Sequence, residues 1–338
     1  MELSRVQIHE RMKHHHVPGL SMAIIQNGAL STDCFGLLEA GTEREVQLDS
    51  IFNACSISKL LASILVMKLS VQGLIDLDED VNNRLVSWRV ASDEYVVTPR
   101  HLLSHQSGII DPEGSFSELN AGDRAPSMAG VLAGRTLYCK KPVEVKDEPG
   151  SDFQYSDAGY CIIQLLIEDI TGEPFEKIVK ELIFEPLKMN NSTFSVTISE
   201  KRFFSSGHNR KGELVPGHYP IYPYPAASGL WTTPSDLAVL VIEFMNALRG
   251  ESKIGLTSRA AEAMISPQGS KEWIGLGLFL DGAGQSVEMS SLGWGIGFQC
   301  MMVAHPYQKN GLVIMTNADT GEHQMKGIIG EIYKSWEV

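Results

Sequence analysis

The chain lacks most of the features that would assign it quickly. No apolar run among its 338 residues reaches the length of a membrane span. The N-terminus, Met1-Glu2-Leu3-Ser4-Arg5-Val6, has no basic segment followed by an apolar core. That predicts no secretory signal and a cytoplasmic protein. Cysteine is sparse: Cys34, Cys55, Cys139, Cys161 and Cys300 are scattered and form no Cys-x-x-Cys pair. Reduced, packed thiols are expected rather than a disulfide framework. Positive charge is in deficit, with 28 Lys and Arg against 41 Asp and Glu and a net charge of -13. This argues against nucleic acid and anionic membranes as partners. The phosphate-cradling orders, strand–Gly-x-Gly-x-x-Gly–helix and Gly-Lys-Ser/Thr, do not occur. No Gly-x-Ser-x-Gly elbow is present either, which excludes the common α/β-hydrolase arrangement.

What is present centres on Ala54-Cys55-Ser56-Ile57-Ser58-Lys59-Leu60-Leu61. From Leu60 to Gln72 the chain is almost continuously apolar, free of Pro and Gly, and stopped by Gly73. A helix apolar all round is a buried one, and Gly is a natural C-terminal stop. Residues three apart share a helix face, so the Lys59 amine is expected beside the Ser56 hydroxyl at the first turn. Burial disfavours the charged form of a lysine, and such an amine can take the proton of a serine nucleophile. The helix N-terminus adds N–H groups that favour developing negative charge. Ser-x-x-Lys also recurs by chance, so this reading depends on the rest of the chain. Cys55 as the nucleophile is the weaker choice, because no His lies near it in sequence and packing accounts for it.

In chain order, a helix is expected over residues 4–16, with His14, His15 and His16 pointing apart at a solvated end. Asn27-Gly28 between two extended runs, 21–26 and 29–38, predicts a β-hairpin. From Leu74 to about Thr232 strand signals largely vanish. Thr98-Pro99 starts a short helix, with Thr98 as N-cap and Pro99 in the first turn. His101 and His105 have a spacing used by metal sites, but no Glu follows His101 and His105-Gln106-Ser107-Gly108 reads as a turn, so no metal or other cofactor is expected. Residues 113–126 read as a loop that could overhang a site. Helices are expected over 158–170, 174–187 and 234–248. Strand character returns at 274–280, 286–291, 298–305 and 311–317, and a closing helix spans 322–336. The expected fold is α/β plus all-α: one antiparallel sheet built from both chain ends (1–73 and 233–338), flanked by helices, with a mainly helical domain (74–232) inserted. The active site would lie between the two.

Two further constellations matter. Tyr155-Ser156-Asp157 opens the 158–170 helix, and a phenol near a lysine can share a proton and pass it to a leaving group. Ser291-Leu292-Gly293-Trp294-Gly295 is read as part of a Gly-rich connection between strands, where a backbone can approach a ligand closely. A strand edge opposite the Ser56 helix could supply one N–H of an oxyanion hole, with the Ser56 N–H supplying the other. Each segment alone is explained as well by packing or by a hairpin.

Together these segments resemble the serine β-lactamase and penicillin-binding protein superfamily over nearly the whole chain, most closely its class C β-lactamase-related branch. That branch includes family VIII esterases, D-aminopeptidases and low-molecular-weight penicillin-binding proteins. Ser56-Ile57-Ser58-Lys59 stands at its first motif and Tyr155-Ser156-Asp157 at its Tyr-x-Asn motif. Residues 101–108, 183–189 and 228–233 resemble further landmarks in the same order. The resemblance implies a β-lactamase/transpeptidase-like fold and an acyl-enzyme mechanism. Ser56 would be the nucleophile, Lys59 its base and Tyr155 the proton relay, with the N–H groups of Ser56 and Trp294 holding the oxyanion. Asp157, Ser291, Leu292 and Gly293 would meet the substrate.

Two departures bear on the substrate. The third motif, usually Lys-Thr-Gly or His-x-Gly, is Ser291-Leu292-Gly293, so the cation that receives a β-lactam carboxylate is missing. The second motif ends in Asp157, whose charge would tend to keep Lys59 protonated. The expected activity is hydrolysis of a small ester, amide or peptide. The alternatives are a weakly turning-over acyl sensor and a true β-lactamase.

Overall fold

The computed structural model describes residues 4–92, 94–120, 122–195 and 203–336. Helix α1 (Arg5–His14) is started by a capping box in which Ser4 and Gln7 satisfy each other's backbone N–H groups. The hairpin β1 (Gly19–Gln26) and β2 (Ala29–Gly36) turns at Asn27 and Gly28, both at positive φ, as a type I′ turn requires. After β3 (Phe52–Asn53) comes α2 (Ser58–Val71), in which every residue from Ser58 to Met67 is buried. The middle of the chain carries α3 (Pro99–Leu103), α4 (Met128–Leu132), α5 (Asp157–Thr171), α6 (Phe175–Val179), α7 (Glu185–Leu187) and α8 (Pro225–Ser228). The strand β4 (Trp231–Thr232) pairs with β3. Then follow α9 (Pro234–Leu248), α10 (Ser258–Met264), β5 (Phe279–Asp281), β6 (Glu288–Gly295), β7 (Phe298–His305), β8 (Asn310–Thr316) and α11 (Ile328–Ser335).

The main sheet has the order β2-β1-β8-β7-β6-β5 and is antiparallel throughout. Period-two alternation sorts its side chains onto two faces. Leu20, Met22, Met301, Val303, Leu312 and Ile314 meet Ile8 and Met12 of α1 and Ile328, Ile329 and Ile332 of α11. Ala23, Ile25, Cys300, Met302, Val313 and Met315 join the larger core, which includes α2, α5 and α9. The helix expected over 174–187 is broken into α6, a π-helical turn at Lys180–Phe184, and α7. The widened turn precedes Pro186, which has no N–H to continue an α-helical ladder. The strand expected over 274–280 shrinks to β5, with Ile274 only bridging Phe279. The expected connection at 291–298 is instead mostly strand: β6 runs through Gly295, and only Ile296 and Gly297 turn. Among the described residues, no helix is long and apolar enough to cross a membrane.

Candidate active site

Ser56 sits in a single 3₁₀ turn, Cys55–Ile57, that feeds directly into α2. Its entry is strained, since Cys55 takes φ 48° without being glycine. Local bonds and bonds to the distant Leu230 hold that strain in place. The Cys55 N–H donates to Asn53 Oδ1 at 2.8 Å, and the Ala54 N–H to Leu230 O at 2.8 Å. Ser58 Oγ donates to Cys55 O at 2.6 Å and accepts the Leu230 N–H at 3.0 Å. The half-buried Ser56 is thereby fixed at the head of a rigid, buried helix.

Lys59, on the first turn of α2, is 3% exposed. Its Nζ donates to Ser56 Oγ at 3.3 Å, to Asp157 Oδ1 at 2.5 Å and to Ala227 O at 2.9 Å. The same atom stands 5.0 Å from the centre of the Tyr155 ring and 5.5 Å from that of Tyr160. The structure therefore brings Ser56, Lys59, Tyr155 and Asp157 together. Of the two opposed expectations for Lys59, the effect of Asp157 prevails over that of burial. Burial does pull the Lys59 ammonium toward losing its proton, but the negative charge and hydrogen bond of Asp157, with a contribution from Tyr155, more than cancel it. Lys59 ends above the ordinary lysine range, so its resting form is the ammonium.

Asp157 is held there by a residue the sequence reading passed over. Asp111 accepts from the Asp157 N–H at 2.7 Å, the Ala158 N–H at 3.1 Å and Ser156 Oγ at 2.6 Å. It thus satisfies donors that the first turn of α5 leaves open. Burial, then the charge of Asp157, raise the Asp111 pKa. Tyr155 is 38% exposed and stacks on His105, with centroids 4.3 Å apart at 24°. His101 serves differently, its Nδ1 accepting the Thr98 N–H as part of the α3 capping box. The two histidines therefore do not converge, and no metal-binding cluster occurs among the described residues.

The opposite wall is β6. Ser291 is buried and lines the cavity, but the Leu292 side chain packs against the α1–α11 cluster on the far face of the sheet. Leu292 nevertheless borders the cavity, through the stretch of β6 between Ser291 and Gly293. Gly293 is needed for close approach: a Cβ there would collide with Ala54 O and Cys300 Sγ. Cys300 Sγ, opposite it on β7, donates to Ala54 O at 3.1 Å and ties the sheet to the Ser56 turn. Trp294 is 43% exposed, and its Nε1 donates to Asp319 Oδ1 at 2.8 Å.

The cavity between the walls is lined by Ser56, Lys59, His105, Tyr155, Ser291 and Leu292, and by Ile274, Gly277, Leu278 and Phe279 from the segment leading into β5. It contains about 280 Å³ of unfilled space. Larger hollows lie beside Phe184 and Phe194, with about 890 Å³ of unfilled space, and beside Asp111 and Lys146, with about 1010 Å³. Neither contains the Ser56–Lys59 pair, so the smaller cavity is the chemically relevant one.

A family model described as Beta-lactamase matches residues 7–330. Penicillin-binding protein 4 of Amycolatopsis lactamdurans is 32% identical over 203 residues, which is 59% of this chain and 50% of that protein. The chain thus matches about half the length of this curated relative. The D-alanine carboxypeptidase AmpC from Burkholderia cenocepacia superposes with a TM-score of 0.76 at 18% identity, covering 98% of this chain and 97% of that one. A class C beta-lactamase superposes with a TM-score of 0.76 at 21% identity, covering 98% and 94%.

Proposed function

Because the chain belongs to the beta-lactamase family, whose fold is that of serine hydrolases, we propose that it hydrolyses ester or amide bonds through an acyl-enzyme on Ser56. The observation that carries this reading is the 3.3 Å contact between Lys59 Nζ and Ser56 Oγ at the head of a buried helix. Ser56 Oγ attacks the carbonyl once Lys59 has shed its extra proton and can accept the one on the hydroxyl. Tyr155 then passes a proton to the departing group. The N–H groups of Ser56 and Trp294 hold the oxyanion, and water releases the acid. We place the site between a sheet-bearing part, residues 1–73 and 233–338, and a helical part, residues 74–232.

The substrate class follows from the β6 wall. Ser291 offers a neutral hydroxyl where a cation would receive a carboxylate, so neutral esters, or amides with a free amine, are preferred over penicillins and cephalosporins. The 2.5 Å Lys59–Asp157 contact favours one second reading, an acyl-binding protein with weak turnover, because it holds the base protonated. Both are tested by incubation with para-nitrophenyl butyrate and with nitrocefin, alongside fluorophosphonate labelling. The hydrolase reading expects many turnovers of the butyrate, slower nitrocefin hydrolysis, and the label on Ser56. A single equivalent of product favours the sensor, nitrocefin hydrolysis faster than that of the ester favours a β-lactamase, and a label on another serine overturns the nucleophile.

A further inference from the structure

His105 lines the cavity with Ser56, Lys59 and Tyr155, yet the chemistry proposed above gives it nothing to do. It is 4% exposed and has φ 55°, an uncommon conformation for a residue with a side chain. Its ring is clamped: stacked on Tyr155, tilted against Tyr160 with centroids 5.3 Å apart, and edge-on to Phe153 at 5.7 Å. The Ser156 backbone N–H donates to Nδ1 at 3.1 Å. A backbone amide can only donate, so Nδ1 is the acceptor and the proton of the neutral ring is on Nε2. Burial, then the nearby Lys59 ammonium, push the pKa of His105 well below 6.5 and keep the ring neutral.

That leaves the Nε2–H. No acceptor for it is found among the described residues. The side-chain polar atoms there that are both sealed from solvent and unpartnered are Gln106 Oε1 and His305 Nδ1. His105 Nε2 is therefore not sealed, and the open space this buried residue borders is the cavity. A fixed, neutral donor beside the nucleophile costs little to reorganise when a ligand arrives.

We propose that His105 is a substrate-binding residue whose Nε2–H donates a hydrogen bond to an acceptor oxygen in the acyl part of the substrate. This rests on the hydrolase reading. The acyl part is meant because it stays bonded to Ser56 inside the small cavity, whereas the leaving group must depart to solvent. The substrate class is thereby narrowed to esters or amides of short acyl groups that carry an ether, hydroxyl or carbonyl oxygen near the scissile carbonyl.

The test compares para-nitrophenyl methoxyacetate with para-nitrophenyl butyrate, which differ by one oxygen in place of a methylene at equal chain length. The ratio of their kcat/KM values is divided by the ratio of their alkaline hydrolysis rates, which removes intrinsic reactivity. The wild type should favour the methoxyacetate by roughly three- to tenfold, the worth of one neutral hydrogen bond. His105→Gln places an amide N–H near the position of Nε2 and should keep the preference. His105→Asn keeps an acceptor near the position of Nδ1 and tolerates the positive φ, but is too short to place a donor at the position of Nε2, so its corrected ratio should fall to about one. A wild-type ratio near one overturns the inference while leaving the hydrolase reading intact. So does a preference kept by Asn and lost by Gln, which would assign His105 to holding Ser156 instead. No turnover of either ester, with Ser56 unlabelled by a fluorophosphonate, removes the hydrolase reading and this inference with it.

Discussion

The two walls of the cavity are built on different principles. The helix wall is determined by local geometry: Ser56 and Lys59 meet because they are three apart at the start of a helix, and bonds from Asn53, Leu230 and Asp111 hold the surrounding groups in place. The strand wall depends on register. Gly293 faces Cys300 and abuts Ala54, so this wall reaches the nucleophile only because a side chain is missing there. The helix wall sets an amine beside a hydroxyl and binds that amine's cation to Asp157. The strand wall offers only the neutral hydroxyl of Ser291. The contrast separates how a nucleophile is activated from how a substrate is chosen.

The largest expected effect comes from breaking the helix wall. Ser56→Ala should reduce ester kcat by at least about 10³-fold and abolish fluorophosphonate labelling, while Cys55→Ala retains both. Retained turnover in the alanine variant would move the chemistry elsewhere.

Asp157→Asn sharpens the same wall. Removing the negative charge stops favouring the Lys59 ammonium, so the rising limb of the kcat/KM profile should shift to lower pH by about 1–3 units. The sign is fixed by the raised Lys59 pKa: activity needs the amine, which forms only as pH rises. Lys59→Arg should be inactive at every pH, since a guanidinium stays protonated. An unmoved limb in Asp157→Asn would mean that another group sets it.

On the strand wall, Gly293→Ala forces β6 away from Ala54. A loss of about 1–3 kcal/mol in stability is expected, the range for overpacking a tight contact. Activity should fall further than the folded fraction does, as read by denaturant titration beside turnover. Equal losses would remove β6 from the oxyanion site.

The smallest effect tests substrate choice. Ser291→Lys should raise acylation by a carboxylate-bearing β-lactam on the order of tenfold, the gap between a charge-assisted and a neutral hydrogen bond, and leave a neutral ester little changed. Equal gains for both would show that Ser291 does not meet the carboxylate.

Much of this site was legible in advance for a physical reason. Ser56–Lys59 is a short-range pattern, and the apolar run behind it states its own burial. The sheet faces follow from alternation along β1, β7 and β8. Where local signals failed, the decisive contacts span long stretches of chain. Asp111 caps a helix 46 residues away, and His105 meets the Ser156 backbone across 51 residues. The segment Ile274–Phe279 that closes the cavity bends back through Gly277, at positive φ, and pairs with β6 only from Phe279 onward. The π-helical turn before Pro186 was hidden inside an otherwise uniform helical pattern.

The sequence by itself determined the family, the buried helix with its hydroxyl and amine, and the neutral side chain at residue 291, because each is a matter of residue type and short spacing. Only the tertiary structure decided the charge of Lys59. Burial and an apposed carboxylate act in opposite directions on the amine, and which one wins depends on a 2.5 Å contact between residues 98 apart.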